Sequence, residues 1–318
     1  MGKYILKRLG MMVLTMFFIM TIGFCALHAM PGGPYDGNTE LEDEQIDMLN
    51  EKYNLDKPIP VQYVLFLKGI VLEGDWGVSF ILRPGMGALE VILERAPATM
   101  LLNVLSLLIS IPLGILAGSL AAVFKNKLPD YVISVLVIVC ISVPSFVFAS
   151  VMQYFLAGKL GWFPVIYNVD GDMATRLTSL VLPTLALSFS PIATICRYLR
   201  GELIETLSSE YMLLARTKGL KKSQAVVRHA FRNSMVPLAN VIVPMVTSIM
   251  GGSLVVENIF SVPGIGGILT EAINASDYSL AMGAMLFYSL ISVLTILLVD
   301  IYYGIIDPRI RLGAASNG

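Results

Sequence analysis

Side chains able to do covalent or metal chemistry are few in this sequence, and their placement argues against a catalyst. The only histidines are His28 and His229. The apolar runs between them predict opposite sides of a membrane, so the two cannot build a metal cluster. Cys25, Cys140 and Cys196 lie within or at the ends of apolar runs without CxxC spacing, and read as packing residues. Two runs look like phosphate loops and fail on spacing. Pro263-Gly264-Ile265-Gly266-Gly267 lacks the GK[ST] ending that positions phosphate and magnesium, and Gly219-Leu220-Lys221-Lys222-Ser223 lacks the preceding glycine. The first reads as a turn. No bound cofactor and no enzymatic activity are expected of this chain.

What the chain offers instead is a set of weakly polar groups inside apolar segments: Asn103, Ser106, Ser110, Ser142, Gln153, Thr184, Ser188, Asn240 and Thr247. A dedicated metal path would be expected to place His, Cys, Asp or Glu along a pore. Hydroxyl and amide groups suit an unselective route, because tight binding within a pore slows release. A carrier coupled to protons or sodium would keep ionisable groups near the bilayer midplane. The second and third apolar stretches contain none, while Glu257 and Asp300 lie toward helix ends, where snorkelling or interface pairing accounts for them.

The elements that must position these groups are membrane helices. Of 318 residues, 56% are hydrophobic and 14% charged, against roughly 25% charged in soluble domains; the mean hydropathy is +0.75. A hydrocarbon core about 30 Å thick needs about 20 apolar residues per helix. Six stretches qualify: Leu9 to Ala29, Ala98 to Phe124, Tyr131 to Ala157, Leu177 to Tyr198, Val236 to Ile259 and Leu280 to Tyr303. The first is too long, and its exit too poor a cleavage site, for a secretion signal, so an uncleaved helix is expected. Between the first two stretches, Glu42 to Tyr53 and Gln62 to Val71 show helical spacing around Pro58 and Pro60.

Charge orients the bundle. Lys3, Lys7 and Arg8 precede the first stretch, Lys125 and Lys127 fill the second connection, and Arg309 and Arg311 follow the last. The fourth connection holds Arg197, Arg200, Arg216, Lys218, Lys221, Lys222, Arg228 and Arg232, whereas Met30 to Pro97 is rich in acids. Basic connections stay cytoplasmic, which places both termini inside and the long acidic loop outside. The net charge of -1 says nothing by itself.

The basic fourth connection reads as two short helices around a break. Glu210 to Lys218 can form helical turns, Gly219 suits a left-handed C-terminal cap, and Ser223 can cap a helix running into Val236. Helices this short need a docking surface. Taken alone, the segment also fits a basic loop that simply obeys the orientation rule.

Ala215 and Gly219 stand at the spacing of the "EAA…G" loop by which importer permeases insert a coupling helix into an ATPase subunit. Leu213 and Leu214 replace the Glu and Ala of that motif, and Arg232 stands where many families have proline, departures that point away from sugar-type importers. The string EYMLLARTKGL…RHAFRN resembles the dipeptide and oligopeptide permeases of ATP-binding-cassette importers. Ordered similarities run along nearly the whole chain: ILKRLGMMVLTMF, MPGGP, YNLDKPIPVQY, GDWGVSF, ERAPATMLLN, SVPSFVFA, GWFPV, LPTLALS, GGSLVVENIFSVPGIGGILTEAI, DYSLAMGAMLF and DPRIR.

The resemblance implies an all-α integral membrane protein with the type I importer permease fold, serving as the B-type subunit that forms half of a translocation pathway in a bacterial cytoplasmic membrane. It implies a first helix and outer loop over residues 1–97, a five-helix core over 98–303 with a coupling loop about 200–235, and a tail over 304–318. Glu210, Tyr211, Leu214, Ala215, Arg216, Lys218, Gly219 and Leu220 would meet the ATPase. The implied partners are a second, C-type permease, two cytoplasmic ATP-binding subunits that use ATP and Mg, an extracytoplasmic substrate-binding protein, a peptide substrate and membrane lipid, but no nucleic acid. The same scaffold also serves nickel, opine or sugar importers; a proton-coupled carrier or a membrane receptor is the alternative from another class.

Overall fold

The computed structural model describes residues 2–29, 43–217, 224 and 226–306, and among them the regular elements are helical. In chain order they are α1 (Gly2–His28), α2 (Asp43–Lys52), α3 (Ile59–Lys68), α4 (Ala88–Val123), α5 (Leu128–Ser142), α6 (Ser145–Met152), α7 (Met173–Ser179), α8 (Val181–Leu207), α9 (Glu210–Thr217), α10 (Arg232–Thr247), α11 (Leu254–Ile259), α12 (Ile268–Asn274) and α13 (Tyr278–Ile306). Wider π turns extend α3 over Gly69–Glu73 and α6 over Gln153–Lys159, and lead into α10 over Val226–Phe231. The chain divides into two compact units, one of residues 1–97, 264–297 and 304–318, the other of 98–263 and 298–303.

Among the described residues, α1, α4 and α13 are each long and apolar enough to cross a membrane unbroken. Two further spans are bent pairs, α5 with α6 and its extension at 98°, and α7 with α8 at 42°. The sharper bend lies at Pro144, which forces Val143 into an extended conformation (φ −91°, ψ 122°) and ends α5. The predicted stretch Val236 to Ile259 is not one helix. It stops at Thr247, passes through a 3-10 turn at Ile249–Gly251, and turns at Gly252 (φ 60°, ψ 160°), a conformation essentially reserved for glycine. The Ile249 carbonyl freed by the break accepts a hydrogen bond from Asn103 Nδ2 at 2.7 Å, which satisfies a backbone group that the helix no longer can.

In the first unit, Pro58 and Pro60 start α3, whose aromatic face lies against α1. The Thr21 and Tyr63 hydroxyls are 2.6 Å apart, and Phe24 packs on both Tyr63 and Phe66. A strap over residues 74–87 is gripped by the segment that opens α13. The fully buried Asp277 carboxylate accepts from the Ser79 hydroxyl (2.5 Å), the backbone N–H groups of Phe80, Ile81 and Leu82 (3.1 Å each), and that of Leu280 (3.3 Å). Ser279 Oγ accepts from Val78 N–H at 3.0 Å. Nearby, Arg95 Nη1 pairs with Glu271 Oε2 at 2.7 Å.

The second unit is organised by a row of small residues on α4. Ser106, Ser110, Gly114, Gly118 and Ala122 recur every four positions, and all five are buried. This row lets the backbone of α8 approach closely, as small-residue rows do in lipid. Ser188 Oγ donates to Thr184 O at 2.7 Å and lies 3.2 Å from Ser106 Oγ; Ser110 Oγ donates to Ser106 O at 2.6 Å. Apolar clusters flank the row. One includes Leu102, Ala186, Val256 and Phe260; the other includes Ile195, Leu199, Leu203 and Leu238.

Candidate functional site

The segment α9 forms the short helix that the sequence predicts, and its own chain supplies the docking surface. Met212 is buried among Leu199 and Leu203 of α8, Ala230, and Leu238 of α10. The methionine side chain fills such an irregular gap without needing a fixed shape. On the other side, Leu214 is 55% exposed, and Glu210 is also exposed. Among the described side chains of α9, Met212 anchors the helix and Leu214 is an uncovered apolar position. Tyr211, Ala215 and Arg216 lie on α9, while Lys218, Gly219, Leu220 and Ser223 fall outside the described residues. Ser234 Oγ donates to Thr206 Oγ1 at 3.1 Å, joining the start of α10 to the end of α8 beside the docked helix.

The stretch of α8 just before α9 holds a second polar contact, which the sequence reading did not single out. Asp130, in the first turn of α5, is buried and receives two bonds from Arg200: Nε to Oδ1 at 2.6 Å and Nη2 to Oδ2 at 2.9 Å. The Asn126 backbone N–H donates to the same carboxylate at 2.9 Å, from a residue in the left-handed region (φ 62°). Sequence counting placed Arg200 among the basic loop residues and passed over Asp130. The available signal was a lone acid opening an apolar helix.

The residues expected along a route fall into separate places. Ser106, Ser110, Thr184 and Ser188 come together in the buried contact of α4 with α8, where the Thr184 hydroxyl has no hydrogen-bond partner among the described residues. Asn103 braces the break after α10. Gln153 Nε2 donates to Ile259 O at 2.7 Å and to Val165 O at 2.9 Å. Ser142 is exposed at the end of α5, and Asn240 and Thr247 are half-buried along α10. Thr247 Oγ1 donates to the carbonyls of Val243 and Pro244 at 3.1 Å each.

Two readings change with the structure. Glu257 does not snorkel: it is 1% exposed, accepts from Thr99 Oγ1 at 3.0 Å, and reaches back to the Ser253 N–H at 3.1 Å. It pairs within the protein because α11 begins at Leu254, immediately after the break. Of the three cysteines, Cys196 is buried where α8 meets α4, but Cys25 is exposed on α1.

The first unit also holds a cavity of about 440 Å³ lined by Phe24, His28, Tyr53, Gln62, Trp76 and Met282, among others. Its polar wall is largely engaged internally. His28 Nδ1 lies 2.9 Å from Phe24 O, and Gln62 Nε2 donates to Leu55 O at 3.0 Å and Lys57 O at 2.7 Å.

An all-helical chain with unbroken and bent spans, and a short helix docked on α8 and α10, defines a multi-pass membrane permease. The chain belongs to the family described as "Binding-protein-dependent transport system inner membrane component", whose model matches residues 110–312; the companion N-terminal model of that family matches 1–103. It is a transport subunit of the inner membrane rather than a catalyst. Along 98% of its length it is 40% identical to the dipeptide transport system permease protein DppB of Lactococcus lactis, of which the match covers 100%. It is 34% identical to the protein of the same name from Bacillus subtilis, with 98% of this chain and 99% of the relative covered. Over 98% of this chain and 100% of the relative, it is 32% identical to the oligopeptide transport system permease protein OppB of Escherichia coli.

Proposed function

We propose that the chain forms half of the translocation pathway of an ATP-driven peptide importer, and that α9 with the residues up to 223 is where a cytoplasmic ATPase engages it. The observation carrying this reading is the docking of α9, fixed inward by Met212 while Leu214 stays uncovered. Full-length similarity to permeases named for dipeptides and oligopeptides supports a peptide as cargo. In this reading the termini and the α9 segment are cytoplasmic, as the Lys and Arg distribution favours. A second permease, two ATPases and an external binding protein complete the machine, and ATP with Mg is used by the ATPases.

Cargo is tested by reconstituting the complete importer and supplying labelled tetra- or pentapeptide, labelled nickel and a labelled disaccharide in parallel. ATP-dependent uptake of the peptide alone is expected; nickel uptake without peptide uptake overturns the assignment.

The coupling role predicts a separate result. Leu214→Asp places a charge on an exposed position, so the permease itself keeps its stability, but an apolar anchor for the ATPase is lost. Uptake and stimulated ATP hydrolysis are expected to fall roughly tenfold or more. Normal values for both at normal expression would remove α9 from the coupling contact.

A further inference from the structure

We propose that Asp130 and Arg200 are positioning residues for transport, whose ion pair passes a displacement of α9 through α8 to α5. The inference rests on the reading of α9 as the ATPase contact and extends it to a route inside the second unit.

The stretch of α8 from Cys196 to Thr206 meets four other elements. Leu199 and Leu203 hold Met212 of α9, and Thr206 holds Ser234 of α10. Cys196 O and Leu199 lie against Gly118 of α4, and Arg200 holds Asp130 of α5. A push on α9 therefore bears directly on this stretch of α8, as it does on Ala230 and Leu238.

How it travels further depends on the kind of contact. Apolar contacts are non-directional and do not by themselves fix a relative orientation. A single hydroxyl bond such as Ser234 to Thr206 fixes a distance but not an angle. The two parallel bonds between Arg200 and Asp130 fix both, because the planar guanidinium meets both carboxylate oxygens. Separating them would strand a carboxylate that is 2% exposed, so the two helices must move together.

The same carboxylate holds the corner before α5. The Asn126 N–H is bound to Oδ2, and Ser134 Oγ, one turn along α5, lies 3.4 Å from Oδ1. Asp130 thus ties both the connection from α4 and the start of α5 to the part of α8 that carries α9. Moving this helix reorients α5 up to its break at Pro144, while the α6 half beyond the 98° bend is free to follow a different path.

The test uses the complete importer in proteoliposomes, with peptide molecules carried per ATP hydrolysed as the readout. Arg200→Gln removes the charge; Arg200→Lys keeps it and loses the two-point grip. Both variants are compared at equal amounts of assembled complex. For Arg200→Lys the ratio is expected to fall about threefold to tenfold with ATP hydrolysis retained, and Arg200→Gln is expected to lower it further or to fail to assemble. A purely structural pair would lower uptake and hydrolysis together, leaving the ratio at its normal value in Arg200→Lys; that outcome overturns the proposal. Leu214→Asp is run beside them. If it abolishes stimulated hydrolysis while Arg200→Lys keeps a normal ratio, the ion-pair route alone fails. If Leu214→Asp is without effect, the α9 contact itself is wrong.

Discussion

Gly118→Leu is expected to prevent the second unit from closing. A β-carbon at this position would stand 2.8 Å from Cys196 O and 3.1 Å from Leu199 Cβ. The first of these is backbone within a helix, which cannot rotate away as a side chain can. Overpacking costs about 1–3 kcal/mol even where side chains can yield, and more is expected here. Gly114 is as tight, with Ile195 Cβ at 2.7 Å and Ile192 O at 3.0 Å from a built β-carbon. The yield of folded, monodisperse protein in detergent should fall severalfold for Gly118→Leu and further for a double change with Gly114→Leu. Leu116→Phe, at an exposed position of the same helix, should leave it unchanged. Equal yields from Gly118→Leu and the unaltered protein would mean that α4 and α8 do not pack through this row.

The other large effect is expected at Asp277. Alanine there removes the common acceptor of the Ser79 hydroxyl and four backbone N–H groups, at a site without solvent to replace it. Leaving buried donors unpaired costs about 1–3 kcal/mol each, with partial relief as the strap loosens, so a net loss of about 3 kcal/mol is a fair expectation. Locally, that corresponds to roughly hundredfold faster hydrogen exchange at Phe80, Ile81 and Leu82. Asp277→Asn, which keeps one acceptor oxygen, should fall between the two. Unchanged exchange in Asp277→Ala would show that the strap is held elsewhere.

Much of this architecture can be read in the sequence because membrane helices need about 20 apolar residues, and such stretches stand out. The helices at Asp43–Lys52 and Ile59–Lys68 were legible for a similar reason, since prolines separate two runs of helical spacing. The 98° bend was not: a proline inside a long apolar run fits both a mild kink and a break, and neighbouring helices decide which. The interruption after Thr247 was hidden likewise, because Gly251 and Gly252 are common enough in membrane helices to pass as packing residues.

The site was legible as a segment but not as a geometry. Glu210 to Thr217 has the length and polarity of a short helix, yet only the fold shows that Met212 points inward and Leu214 outward. Ser106, Ser110 and Ser188 were ambiguous because a hydroxyl in an apolar helix serves equally to line a route or to hold two helices together. The spacing of four that continues through Gly114, Gly118 and Ala122 was the distinguishing signal. The Asp130–Arg200 pair spans 70 residues, and no local pattern joins its halves.

The Asp277 clasp also sets an order of events during synthesis. Its acceptor emerges 195 residues after Leu82, the last donor of the strap. At about 5–20 residues per second, the ribosome needs on the order of 10–40 s to cover that distance. Until then the N–H groups of Phe80, Ile81 and Leu82 have no access to the carboxylate that will hold them and stay solvated. A nascent chain that ends before Asp277 therefore leaves the strap without its clasp even when every earlier helix has been inserted.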